Sequence, residues 1–140
     1  MRLPPIAALA LSAGLLLSAC QTQDTGGAPG ADADGFNGIA KGDTIHFTGT
    51  EPFWGGDVRG SNLTYSTPEN KEGTTITVKR FHGQGGLGLS GELAGASFDM
   101  TVTPGTCSDG MSDRSYPYTV TLKIGSETRL GCAWTDAQPF

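Results

Sequence analysis

Apolar and polar residues alternate at period two along much of the chain from Thr44 onward. Ile45 and Phe47 have polar neighbours, and so do Leu63 and Tyr65. In Thr74-Thr75-Ile76-Thr77-Val78-Lys79, Ile76 and Val78 share a face. Phe98, Met100 and Val102 repeat the pattern. The clearest run is Tyr118, Val120, Leu122 and Ile124, with Thr119, Thr121 and Lys123 on the other side. Leu130, Cys132 and Trp134 share a parity, which reads as a core-facing set. Successive strand side chains point to opposite faces, so this alternation in Thr-, Val-, Ile- and aromatic-rich segments predicts half-buried antiparallel strands.

Glycine supplies the punctuation. Ile124-Gly125-Ser126-Glu127-Thr128 predicts a hairpin between two strong strands. Gly55-Gly56 and Gly85-Gly86 read as breaks between strands. Between Gly83 and Gly95 the glycines also fall within strands, which predicts weak strands, bulged or closely approached by another backbone. No window of eleven or more residues after the N-terminal segment carries a helical stripe. The expected fold is all-β: a small antiparallel meander barrel of seven or eight short strands over 41–140, closed by one disulfide.

The first forty residues follow other rules. Arg2 is the only charge before Asp24, and Ile6 to Leu17 is mostly apolar. That run is shorter than the roughly 20 residues a spanning helix needs. A positive start, a short apolar centre and small residues before a cut describe a secretory signal peptide over 1–19. Leu17-Ser18-Ala19-Cys20 resembles the bacterial lipobox, which implies that Cys20 is lipidated on sulfur and becomes the mature N-terminus. One acyl chain anchors marginally, whereas the two or three of a bacterial lipoprotein hold firmly. Gln21 in place of Asp implies, by analogy with Gram-negative lipoproteins, an outer-membrane address facing the periplasm. Residues 20–40 are small, polar and Gly/Ala-rich, and read as a flexible tether of roughly 25 Å root-mean-square span. No later apolar segment is long enough to span a bilayer, so the lipid is the expected membrane anchor.

The chain carries a formal net charge of −5, and loss of Arg2 makes it one unit more negative. Phosphate binding needs clustered Lys and Arg, so nucleic acid is a poor partner for it. Of the three cysteines, Cys20 goes to lipid, which leaves Cys107 and Cys132. An even pair in an exported domain predicts a disulfide. It would stabilise by roughly 3–4 kcal/mol in the chain-entropy account. A metal site on these two thiols is the competing reading, but it lacks a Cys-x-x-Cys or nearby His partner.

Two segments break the alternation. In Gly49-Thr50-Glu51-Pro52-Phe53-Trp54, the Glu-Pro step cannot sit in a central strand, because Pro lacks the ladder N–H. Either Phe53 and Trp54 plug one end of the barrel while Glu51 caps a turn, or Glu51 and Trp54 form a ligand-facing rim for a sugar or peptide. The second segment is Cys107-Ser108-Asp109-Gly110-Met111-Ser112-Asp113-Arg114-Ser115-Tyr116-Pro117-Tyr118, a polar loop feeding the best strand. Three readings compete for Asp109, Asp113 and Arg114. Arg114 pairs with a carboxylate in a merely ordered loop, or the carboxylates bind Ca²⁺, or the loop recognises a glycan or protein. The calcium reading lacks the alternate oxygen donors and distal Glu of the helical calcium loop.

Signals for catalysis are weak. Gly88-Leu89-Ser90-Gly91 is not Gly-x-Ser-x-Gly. His46 falls on the polar face of its strand, and His82 opens a Gly-rich turn. Neither has metal-type spacing to the other or to a cysteine. A pair of carboxylates converging in space remains a third possibility. No cofactor is expected.

Gly-Thr-Glu-Pro-Phe-Trp at 49–54, Cys-Ser-Asp-Gly-Met-Ser-Asp-Arg at 107–114, Tyr-Pro-Tyr at 116–118 and Leu-Gly-Cys-Ala at 130–133 resemble a family of uncharacterised proteobacterial envelope proteins. Its members are described only as membrane proteins or lipoproteins, and related domains occur beside META-type domains of stress-linked envelope proteins. The resemblance implies a lipoprotein with a small β fold and brings no activity. A looser similarity is to membrane-bound inhibitors of c-type lysozyme, which are lipobox-bearing, disulfide-closed barrels that fill the enzyme cleft with a loop Ser and Lys. Here Ser90-Gly91 lacks the pattern that follows, and no Thr-Lys-Gly occurs.

The expected function is therefore a non-catalytic, lipid-anchored envelope module. Its expected partner is a periplasmic protein or cell-wall glycan, and its candidate binding residues are Glu51, Trp54, Asp109, Asp113 and Arg114. The alternative is an inhibitor of a basic hydrolase such as lysozyme, steered to its target by charge.

Overall fold

A computed structural model describes residues 35–140. The segment read as a signal peptide, Cys20, and the part of the expected tether up to residue 34 lie outside the described residues. The strands in chain order are β1 (Thr44–Thr50), β2 (Phe53–Arg59), β3 (Asn62–Thr67), β4 (Asn70–Thr77), β5 (Lys79–His82), β6 (Leu87–Leu93), β7 (Ala96–Cys107), β8 (Tyr116–Ile124) and β9 (Glu127–Thr135). They form one antiparallel sheet in the order β4-β3-β2-β1-β9-β8-β7-β6-β5. The sheet curls into a half-barrel around its apolar face.

The all-β expectation holds, but the count and the closure differ. Gly55 and Gly56, read as a break, lie inside β2, where they pair with Ser66 and Tyr65 of β3. The run read as one strand at 74–79 is divided at Val78. Its N–H turns away from the ladder to Ser61 O at 2.8 Å. That bend sends β4 along β3 and β5 along β6. The two edge strands are thus consecutive in sequence, and the two edges are not joined in one ladder.

Alternation set the inner face correctly almost everywhere. Ile45, Phe47, Leu63, Phe98, Met100, Val102, Tyr118, Val120 and Leu122 are all buried in the core. β9 is the exception. Its inner face carries Ala133 and Thr135, while Leu130 is 72% exposed. Leu130, Cys132 and Trp134 do share a parity, but they line the outer face. Cys132 is nonetheless buried, because the disulfide covers it from outside. The small inner residues have a reason. The Trp54 indole lies against β1 and β9, where a Cβ at Gly49 would overlap Trp54 Nε1 and one at Gly131 would fall 2.9 Å from its ring.

The Gly83–Gly95 segment does admit close backbone approach. A Cβ at Gly91 of β6 would sit 2.7 Å from Thr77 O at the end of β4. The Ile124–Glu127 hairpin forms as read, with Gly125 at φ 57°, a value glycine tolerates without strain.

The folded unit starts earlier than residue 41. Ile39 is fully buried, and Phe36 packs on the core with its ring 6.5 Å from Tyr118, edge to face. Phe36 N–H donates to Gly83 O at 2.6 Å, and His82 Nδ1 donates to Phe36 O at 2.8 Å. The two apolar side chains stand in an otherwise Gly-rich stretch, which is why composition alone assigned them to the tether. Burying an Ile side chain contributes about 1.5–3 kcal/mol, enough to hold a short segment in place.

Phe53 and Trp54 are adjacent yet face opposite sides: Phe53 is 54% exposed and Trp54 is 4% exposed. Trp54→Ala is therefore expected to cost roughly 3–5 kcal/mol in urea denaturation. Phe53→Ala should stay within about 0.5 kcal/mol of the parent, as exposed substitutions do.

Candidate functional site

The two pattern-breaking segments meet on the outer face of the sheet. Along β7 the pairing with β8 shifts register between Pro104 and Cys107. Pro104 donates no ladder hydrogen bond, and bulges are where a strand proline is tolerated. Past this point Cys107 is bonded to Cys132 of β9, with Cα atoms 5.6 Å apart, although β8 lies between β7 and β9 in the sheet. The chain from Cys107 to Ser115 is thereby strapped across the outside. Cys132 stands opposite Thr48 of β1 and Thr119 of β8.

Asp109 organises this strap. Its Oδ1 accepts the N–H groups of Met111 (2.9 Å) and Ser112 (2.8 Å), and its Oδ2 accepts Ser112 Oγ (2.7 Å) and Tyr116 OH (3.2 Å). These bonds to the charged form, the backbone N–H donors first, hold its carboxyl well below the ordinary carboxylate value of 3.8. The carboxylate is thus fully engaged in shaping the loop. Among the described residues, no group of three or more His, Cys, Asp or Glu could hold a metal ion.

Between strap and sheet lies a hollow of about 200 Å³, lined by Thr48, Gly49, Thr50, Ser108, Asp109 and Leu130 over the disulfide. A second, more open depression of about 250 Å³ adjoins it, sharing Thr48 and Gly49 and running past Phe53 and Gly55 to Ser66 and Pro68. Together they make one shallow groove across β9, β1, β2 and β3. Its surfaces are hydroxyls, backbone amides and the exposed faces of Leu130 and Phe53.

The residues singled out by sequence divide. Asp109 lines the groove. Glu51 is exposed in the β1–β2 turn beside it. Trp54 borders the second depression but is a core residue, packed between Phe47 (5.9 Å) and Tyr65 (6.3 Å), and its Nε1 is buried without a partner among the described residues. Asp113 is exposed on the strap. Arg114 makes no ion pair among the described residues, and instead lies over the Phe140 ring at 4.4 Å. Ser90 is mid-strand in β6 and donates to Asp99 Oδ1 at 2.8 Å, so it is no loop serine.

Sequence reading missed an aromatic cluster beside the disulfide. Trp134 stacks on His46 (5.2 Å) and meets Tyr116 (5.4 Å) and Phe140 (5.0 Å), while His46 Nε2 lies 3.0 Å from Asp136 Oδ1. The signal was present in the shared parity of Trp134 with Cys132 and in the outward parity of His46, once β9 is turned over. Exposed Phe53 and Leu130 were also missed as groove residues.

Asp109→Ala should raise amide exchange at Met111 and Ser112 by at least about tenfold, and leave the β8 and β9 amides unchanged. The folded pKa lies below the unfolded one, so the strap's order is present above the ordinary carboxylate pH and is lost only as pH falls through the depressed value. Protection of those two amides should accordingly persist through pH 3.8 in the parent protein. Comparison of the chain with protein-family models, curated proteins and solved structures finds no match.

Proposed function

We propose that the chain is a lipid-anchored bacterial envelope protein that binds a cell-wall glycan, non-catalytically, in the groove between the Cys107–Ser115 strap and strands β9 to β3. The observation that carries this reading is the meeting of the 49–54 and 107–114 segments over the disulfide. The groove's two parts are each smaller than the roughly 300–1,000 Å³ of an enclosing small-molecule pocket. Such a surface suits a polymer laid across it rather than a ligand taken inside. Thr48, Thr50, Ser108 and Ser66 offer hydroxyls at its walls, and Phe53 and Leu130 offer apolar contact to a sugar face. No nucleophile–base pair lines it, which favours binding over turnover. Lipidation at Cys20, export and an outer-membrane address rest on the lipobox resemblance. A shared small-β envelope fold is likewise what the 49–54 and 107–114 motifs suggest.

Sedimentation with purified peptidoglycan sacculi tests the reading. The parent should co-sediment, and Leu130→Asp and Phe53→Ser should each weaken binding at least about fivefold. Both sites are exposed, so melting should barely move. In-cell crosslinking from Leu130 to a periplasmic protein, with no sacculus binding, would replace the glycan by a protein partner. Stoichiometric inhibition of added lysozyme would favour the inhibitor reading.

A further inference from the structure

Beyond β9 the chain folds back onto the outer face of the sheet. Thr135 N–H donates to Gln138 O, and Gln138 N–H donates to Thr135 O, both at 3.1 Å. Gln138 Oε1 accepts Tyr118 OH at 2.6 Å, and Asp136 Oδ1 lies 3.0 Å from His46 Nε2. These bonds set the turn, and Pro139 with its fixed φ leads into Phe140. The Phe140 ring stands 5.0 Å from Tyr116 and 5.0 Å from Trp134, with the Arg114 guanidinium 4.4 Å from its centre. It is 45% exposed, so it lies on the aromatic cluster rather than inside it. Two routes of contact run from this ring to Asp109. Tyr116 OH donates to Asp109 Oδ2 at 3.2 Å. Arg114 N–H donates to Ser112 Oγ at 3.2 Å, and that hydroxyl donates to the same Oδ2 at 2.7 Å. Asp109 in turn lines the hollow over Thr48 and Thr50, whereas Phe140 lines neither part of the groove.

We infer that Phe140 is a positioning residue for the groove: clasped on Tyr116 and Arg114, it holds Asp109 and the strap where the proposed glycan meets them. The ligand rests on the groove reading given above; the clasp does not. The strap is held unequally at its two ends. At Cys107 the tie is covalent. At Arg114 and Tyr116 it is not. An aromatic pair, or a cation over an exposed ring, shifts an equilibrium by about two- to tenfold. Phe140 makes two contacts of the first kind and one of the second. The exit end of the strap is therefore the end that opens, since local opening starts where the contacts are weakest. Without Phe140, Tyr116 keeps Trp134 on one side and gains freedom on the other. Its hydroxyl then reaches Asp109 only part of the time. A ligand that needs the wall in place binds more weakly by the fraction of molecules in which it is open. Reciprocally, a ligand seated in the groove favours the closed clasp.

Amide exchange on the purified full chain tests the clasp, and sedimentation with peptidoglycan sacculi tests its consequence. Phe140→Ala should speed exchange of the Met111 and Ser112 amides at least about threefold and weaken sacculus binding by a similar factor. The Val120 and Leu122 amides in the core of β8 should not change. Phe140→Tyr keeps the ring and should behave as the parent does. Asp109→Ala separates positioning from packing. In that background, Phe140→Ala should add nothing further to either measurement, because the group it acts through is gone. Unchanged exchange at Met111 and Ser112 in Phe140→Ala overturns the inference, and so does full additivity of the two substitutions. If the parent itself does not bind sacculi, the glycan reading fails. The exchange measurements then still decide whether Phe140 holds Asp109 in place.

Discussion

The pairing of β7 with β8 slips between Pro104 and Cys107, the chain leaves the sheet after Cys107, and the bond of Cys107 to Cys132 keeps it outside. Everything distinctive about the outer surface follows from that crossing. The strap has little of its own to hold it down. Met111 is 66% exposed, and Asp109 spends all but one of its hydrogen bonds within the loop, the other coming from Tyr116 OH of β8. Tyr116, packed on Trp134, is its one large buried anchor. A polar loop of this kind buries too little apolar area to offset the entropy of fixing it. The covalent tie between Cys107 and Cys132 makes good the difference. The hollow over Thr48 and Thr50 exists because that tie sets the strap's height above β1 and β9.

The inner face was legible and the outer face was not, and the reason is physical. Packing around one core forces alternation, so Phe98-Met100-Val102 and Tyr118-Val120-Leu122 declare themselves. β9 misled because its core side is made of Gly131 and Ala133, small enough to receive the Trp54 indole. The larger residues on that strand serve an outside cluster instead. A hydrophobicity pattern assumes that bulk points inward, and it fails where an aromatic from another strand fills the space. β2 was hidden for a related cause. Gly55 and Gly56 look like a break, yet their missing side chains let β1 and β3 close in: a Cβ at Gly55 would fall 3.0 Å from Phe47 O. At Val78 one N–H bonded to Ser61 O divides a strand, and no residue type marks that bend in advance.

The candidate site was half legible for the same reason. The segments 49–54 and 107–114 stood out because Pro, Gly and charge interrupt an otherwise regular pattern, and the fold brings them together. Their individual residues were harder to assign. Trp54 and Phe53 differ by one position, and hence by a face, and only the strand register decides which is exposed. Asp109 and Arg114 looked like a binding pair. In the folded chain the first is consumed by backbone N–H groups, and the second by the face of Phe140. Spacing in sequence cannot register a contact between the strap and the final residue.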